Sequence, residues 1–167
     1  STVRSNAGLD AAIETAGGKV IRADVGDKNV IDEMLKRGHN FGGEQSGHLI
    51  FSDHGTTGDG LVAALQILRI MAAKQKPLSE LAKCWSRFPQ QLTNIRVTEK
   101  KPFEELEDVL DLVAQAEAQL EKEGGRILLR YSGTEPKARL LLEGKDAAML
   151  EQWSKKISGS ITAQIGE

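Results

Sequence analysis

Cysteine is nearly absent. Cys84 is the only one in 167 residues, so no disulfide can form within the chain. A lone thiol suits a reducing, cytoplasmic setting. Aromatic residues make up 4% of the chain, too few for the stacking platforms that hold single-stranded nucleic acid. There is no excess of positive charge: 22 Lys and Arg against 24 Asp and Glu leave a formal net charge of -2. Nothing draws the chain as a whole to nucleic acid, and any anion site has to be local. No apolar run reaches the roughly 18 residues a membrane-spanning helix requires. No signal-peptide pattern is present, and the first residue is Ser1, not Met. Ser1 to Asn6 reads as the end of a strand running into a loop, which predicts a fragment that starts inside a domain.

An apolar content of 40% and a charged content of 28% describe a globular chain, long enough for one large domain or two small ones. Leu9, Ala12, Ile13 and Ala16 repeat at helical spacing after Asn6, a natural N-cap, and Gly17-Gly18 closes that helix. Residues 19–23 read as a short strand and 25–29 as a turn. Val30, Met34 and Leu35 mark a second helix ended by Gly38. Residues 48–52 form a strand. Asp59 caps a helix whose Leu61, Ala64, Leu65, Leu68 and Met71 share one face. This alternation predicts an α/β fold, a partial three-layer α/β/α domain with a mainly parallel sheet over residues 1–88. A linker is expected over residues 89–94. Residues 95–167 then read β-α-β-β-α, a small α+β domain, with Leu106, Val109, Leu110 and Val113 facing inward on its first helix.

Two loops carry chemistry. In Gly42-Gly43-Glu44-Gln45-Ser46-Gly47-His48, Glu44 and Ser46 project from one glycine-flanked turn. A carboxylate beside a hydroxyl suits a sugar diol, Gln45 adds an amide, and His48 is a candidate proton shuttle. In Arg130-Tyr131-Ser132-Gly133-Thr134-Glu135-Pro136-Lys137-Ala138-Arg139, two arginines flank a turn between strands. Gly133 permits close approach of backbone to ligand, successive N–H groups can form an anion nest, and a guanidinium matches phosphate oxygens in pairs. Glu135 fits a simple phosphate cradle poorly and is better placed to orient an arginine or to accept a bond from a backbone N–H. An ordinary polar hairpin and a glycine-rich connection are the bland alternatives.

Sharper motifs are missing. Gly42 and Gly47 have Walker A spacing, but His48 and Leu49 stand where Lys and Ser or Thr belong. There is no Gly-x-Ser-x-Gly elbow. His39, His48 and His54 lack zinc-ligand spacing.

Taken in order, Gly43-Glu44-Gln45-Ser46-Gly47-His48, Thr56-Thr57-Gly58-Asp59-Gly60 and Arg130-Tyr131-Ser132-Gly133-Thr134-Glu135-Pro136 resemble the α-D-phosphohexomutase superfamily over nearly the whole chain. Val25-Gly26-Asp27-Lys28 also fits the family's turn before the sugar loop. The resemblance implies most of the third of four domains and the complete fourth. It assigns Glu44, Gln45, Ser46 and His48 to sugar contacts, and Arg130, Ser132, Gly133, Thr134 and Arg139 to the phosphate that is not transferred. Arg4, which stands where the family has an apolar residue, joins Asp27, Lys28 and Glu135 as additional candidates.

The implied reaction interconverts glucosamine 6-phosphate and glucosamine 1-phosphate through a phosphoserine and a bisphosphate intermediate. The phosphoserine and the Mg²⁺ loop are expected in the first and second domains, so no catalytic or metal residue is expected here. The expected partners are a phosphosugar and those two domains, with neither nucleic acid nor membrane. A mannose- or glucose-phosphate mutase and a non-catalytic sugar-phosphate module are the alternatives.

Overall fold

The computed structural model describes all 167 residues, which divide into two units, Ser1–Ser86 and Arg87–Glu167. In the first, Asn6 caps helix α1 (Ala7–Thr15) by accepting the Gly8 N–H at 3.0 Å. Helix α1 connects Thr2 to Ala23, and these two form a parallel bridge. Val3 N–H donates to Ala23 O at 2.9 Å and Ala23 N–H to Ser1 O at 2.8 Å.

The parallel pairing expected of this unit is that single bridge, and of residues 19–23 only Ala23 pairs. The Ser1 amino group also donates to Ile21 O at 2.7 Å, and a side chain adds to these backbone bonds. Arg22 Nη1 donates to the carbonyls of Thr2 at 2.9 Å and Ser5 at 2.8 Å, while Nη2 pairs with Asp10.

Helix α2 (Asp27–Arg37) stops on Gly38, whose φ of 69° is the left-handed C-cap. Strands β1 (Phe41–Gly43) and β2 (Leu49–Phe51) then form an antiparallel hairpin with Gly42 opposite Ile50. Antiparallel pairing follows from the short connection between them. Strand β1 lies in a segment expected to be loop, because Phe-Gly-Gly carries no alternation. Its glycine is required by packing: a Cβ on Gly42 would meet Met34 Sδ at 2.5 Å and Val30 Cγ1 at 2.7 Å. The hairpin therefore lies directly on α2, around a core of Ala23, Val30, Met34 and Ile50. Asp59 caps helix α3 (Gly60–Lys74), accepting the N–H groups of Leu61 and Val62. The apolar face of α3 stays open, with Leu61 80% and Leu65 64% exposed. The short helix α4 (Leu78–Leu81) follows.

The second unit contains a three-stranded antiparallel sheet in the order β3 (Gln90–Arg96), β5 (Lys137–Glu143), β4 (Arg126–Tyr131). Gln90 and Gln91, within the expected linker, open strand β3. Their polar side chains hide the signal, and pairing with β5 from Gln90↔Glu143 to Arg96↔Lys137 decides the outcome. Helices α5 (Glu107–Leu120) and α6 (Ala147–Ile165) pack into one core with the sheet. Ala138, Leu140 and Leu142 of β5 are fully buried in it, alongside Val109, Ala116, Leu120, Ile157 and Ile161. Each such large aliphatic contributes about 1.5–3 kcal/mol. Leu110, expected inward, is 39% exposed; the next turns of α5 bury Ala116 and Leu120 instead. Alternate residues of β5, among them Lys137, Arg139 and Leu141, lie on the opposite and only partly buried face. No helix is long and apolar enough to cross a membrane.

Candidate functional site

In the first unit, the β1–β2 turn is closed by Glu44 N–H donating to His48 O at 2.9 Å and Gly47 N–H to Glu44 O at 3.1 Å. Gly47 has φ 97°, a conformation that favours glycine. Gln45, Ser46 and His48 are exposed at the turn, whereas the Glu44 side chain is only 12% exposed. Glu44 Oε1 accepts the Gly26 N–H at 3.0 Å, and Oε2 lies 3.7 Å from His48 Nδ1. Ser46 Oγ lies 3.3 Å from the same Nδ1. Serine and carboxylate thus converge on one ring nitrogen, not on opposite nitrogens as a nucleophilic triad requires. The cluster suits hydrogen bonding to hydroxyls.

Gly26 sits at the N-cap of α2 with φ 124°. The 25–28 turn and the 44–48 turn are therefore joined by a backbone-to-carboxylate bond that sequence spacing does not reveal. Asp27 accepts the Lys28 N–H at 2.8 Å, and both residues are exposed. Arg4 is exposed and belongs to this unit.

In the second unit, Arg130 of β4 and Arg139 of β5 are directly opposed in register, which places both side chains on one face. Arg139 Nη2 donates to Glu135 Oε2 at 3.0 Å, and Lys137 Nζ donates to Glu135 Oε1 at 2.5 Å. These bonds, from Lys137 first and Arg139 second, hold the Glu135 carboxyl below its usual pKa. Arg139 Nε is buried without a hydrogen-bond partner, and Arg130 has no carboxylate partner.

Ser132 N–H donates to Lys137 O and Lys137 N–H to Glu135 O, but no protein acceptor takes the N–H of Gly133, Thr134 or Glu135. Three successive N–H groups are thus left without a protein acceptor, and such groups in a turn can meet an anion. Gly133 has no positive φ, and a Cβ there would meet nothing within 4 Å. The chain itself does not require glycine at this position. Ser132 is buried at 2% exposure, so its side chain offers little surface, while Thr134 is exposed.

Sequence reading missed the segment that backs this loop. Val97 N–H donates to Pro136 O at 3.1 Å, Tyr131 Oη to Lys101 O at 2.7 Å, and Lys100 Nζ to Ser132 O at 2.6 Å. Phe103 stacks on Tyr131 with ring centroids 4.2 Å apart. Burial, and then the Glu99 charge, raise the Tyr131 pKa. No signal in the chain announces contacts across about thirty residues.

No three His, Cys, Asp or Glu side chains converge anywhere in the structure. The residues present do not fit a divalent cation, and no step is assigned to one in this chain.

Residues 1–88 match the family described as phosphoglucomutase/phosphomannomutase, alpha/beta/alpha domain III. Residues 92–160 match phosphoglucomutase/phosphomannomutase, C-terminal domain. A phosphoglucosamine mutase of Geobacter metallireducens is 53% identical over 166 residues, covering 99% of this chain and 37% of that protein. The phosphoglucosamine mutase of Geotalea uraniireducens is 51% identical over 166 residues, covering 99% of this chain and 36% of that protein. The chain thus spans little more than a third of the length of these curated relatives. A solved structure of Aspergillus fumigatus N-acetylphosphoglucosamine mutase matches with a TM-score of 0.74 and 18% identity, over 97% of this chain and 37% of that one. At that identity the likeness is one of fold.

Proposed function

Since the chain belongs to the phosphoglucomutase/phosphomannomutase family, we propose that it is the substrate-gripping C-terminal part of a phosphoglucosamine mutase. The enzyme interconverts glucosamine 6-phosphate and glucosamine 1-phosphate. The observation that carries this reading is the opposed pair Arg130 and Arg139 beside the free N–H groups of Gly133, Thr134 and Glu135. Two guanidinium groups and a nest with one carboxylate among them form an oxyanion grip. Arg130, Gly133, Thr134 and Arg139 hold the phosphate that is not transferred, with Ser132 shaping the loop from beneath. Glu44, Ser46 and Gln45 contact sugar hydroxyls, and His48 serves as proton shuttle near them. Asp27, Lys28 and Arg4 line the first unit's approach.

The division of labour is physical. A mutase meets its substrate in two orientations, so its grip must accept either end of the sugar, and exposed polar loops tolerate that better than a closed pocket. Phosphoryl transfer then depends on positioning and charge neutralisation. A phosphoserine, a bisphosphate intermediate and Mg²⁺ belong to the rest of the enzyme, where the cation would supply charge neutralisation. The setting is the cytoplasm, and the partners are the phosphosugar and the remaining domains.

The test compares kcat/KM of the full-length protein carrying these residues for the 6-phosphates of glucosamine, glucose and mannose. Glucosamine 6-phosphate is expected to lead, with Arg130→Ala raising KM for every substrate. Preference for mannose or glucose 6-phosphate would reassign the substrate, and no turnover of any of the three would refute the reading.

A further inference from the structure

Lys100 lies outside every motif in the chain. It follows the end of β3, and its Nζ donates to the carbonyl of Ser132, 32 residues away, at 2.6 Å. Neighbouring cations other than Arg130 are paired with carboxylates: Lys101 with Glu99 at 3.1 Å, Arg96 with Glu167 at 3.6 Å, and Lys137 and Arg139 with Glu135. Lys100 has no carboxylate, and its one protein partner is that carbonyl. The backbone on either side of it is tied to the same hairpin, through Val97 N–H to Pro136 O and Tyr131 Oη to Lys101 O. The ammonium is therefore presented to the loop by a fixed segment.

The carbonyl of Ser132 and the N–H of Gly133 belong to one peptide unit. That unit is planar and trans, so the two groups point in opposite directions. A cation bound to the oxygen fixes the plane of the peptide. It also draws electrons toward the oxygen, which strengthens the N–H at the other end as a donor. The Gly133 N–H is the first of the three free donors of the loop, and Gly133 is exposed.

We infer that Lys100 is a positioning residue of the phosphate loop, acting through the Ser132–Gly133 peptide to aim and strengthen the Gly133 N–H toward an oxyanion. It is a requirement for phosphate affinity that does not touch the phosphate. This rests on the reading of residues 130–139 as a phosphate grip.

The experiment titrates inorganic phosphate into the full-length protein, as wild type, Lys100→Met, Lys100→Arg and Arg130→Ala, and records unfolding temperature for each. Lys100 is exposed, so neither substitution removes core. Lys100→Met is expected to weaken phosphate binding about tenfold, as loss of one charge-assisted hydrogen bond would. Lys100→Arg restores a donor to the carbonyl and is expected within about threefold of wild type. Unfolding temperatures stay together. Wild-type affinity in Lys100→Met with a loss in Arg130→Ala overturns the inference and leaves the grip standing. Equal losses in Lys100→Met and Lys100→Arg, with lowered unfolding temperature, also overturn it. Unchanged affinity in Arg130→Ala removes the grip itself.

Discussion

Arg130 and Arg139 occupy directly opposed positions on antiparallel strands β4 and β5, and Glu135, bonded to Arg139, is the carboxylate they have beside them. Like charges placed this way disfavour the sheet in the absence of an anion. Removing Arg130 should therefore act in opposite directions on stability and on binding. Arg130→Ala is expected to leave ligand-free stability unchanged or raise it by up to about 1 kcal/mol. The same change should weaken sugar-phosphate binding by about 1.5–3 kcal/mol. Urea unfolding and calorimetry on the same sample measure both, and equal signs would show that the pair is structural.

Glu135 titrates below its ordinary value of 4.5 because Lys137 and Arg139 hydrogen-bond its charged form. A carboxyl whose pKa is depressed by folding contributes stability that is fully present above its unfolded pKa. That contribution is lost as pH falls through the folded value. The expected result is a carboxyl titration by NMR with its midpoint below 4.5, moved back toward 4.5 by Lys137→Ala and further by Lys137→Ala with Arg139→Ala. A midpoint at or above 4.5 in the wild type would rule out these bonds in solution.

Glu44 has two duties that substitutions can separate. Its Oε1 takes the Gly26 N–H, and its Oε2 faces His48. Glutamine keeps a carbonyl acceptor for Gly26 but not the charge. Glu44→Gln is expected to hold thermal stability within about 0.5 kcal/mol while raising KM for the sugar phosphate. Glu44→Ala should lower both stability and affinity, the former by about 1–3 kcal/mol because a partly buried N–H loses its partner. Identical behaviour of the two variants in scanning calorimetry and steady-state kinetics would contradict this assignment.

Gly26 holds φ 124° at the start of α2. A side chain there is strained whatever space surrounds it, so Gly26→Ala is expected to cost about 1–3 kcal/mol in urea unfolding. Unchanged stability would place this turn in a different conformation.

Local chemistry made much of this legible in the sequence. Asn6 and Asp59 announced their helices because a side-chain acceptor must meet free N–H groups, and Gly38 announced an end. The β4–β5 hairpin and its arginines were visible because two apolar runs bracket a polar turn. Strand β1 was not visible, since Phe41-Gly42-Gly43 becomes strand only when Gly42 lies against Met34 and Val30. Gln90 and Gln91 looked like linker because edge pairing with β5, not their own propensity, makes them strand. The Glu44–Gly26 and Lys100–Ser132 bonds were invisible for the same reason: both are tertiary, and neither residue type foretells its partner.

The central claim is that residues 130–139 form an oxyanion grip built from two arginines and three free backbone N–H groups. Its most direct test is a titration of this chain with inorganic phosphate, followed through backbone amide resonances. Saturable shifts are expected at Gly133, Thr134 and Glu135, abolished in Arg130→Ala. Resonances of these three amides that stay fixed at saturating phosphate would contradict it.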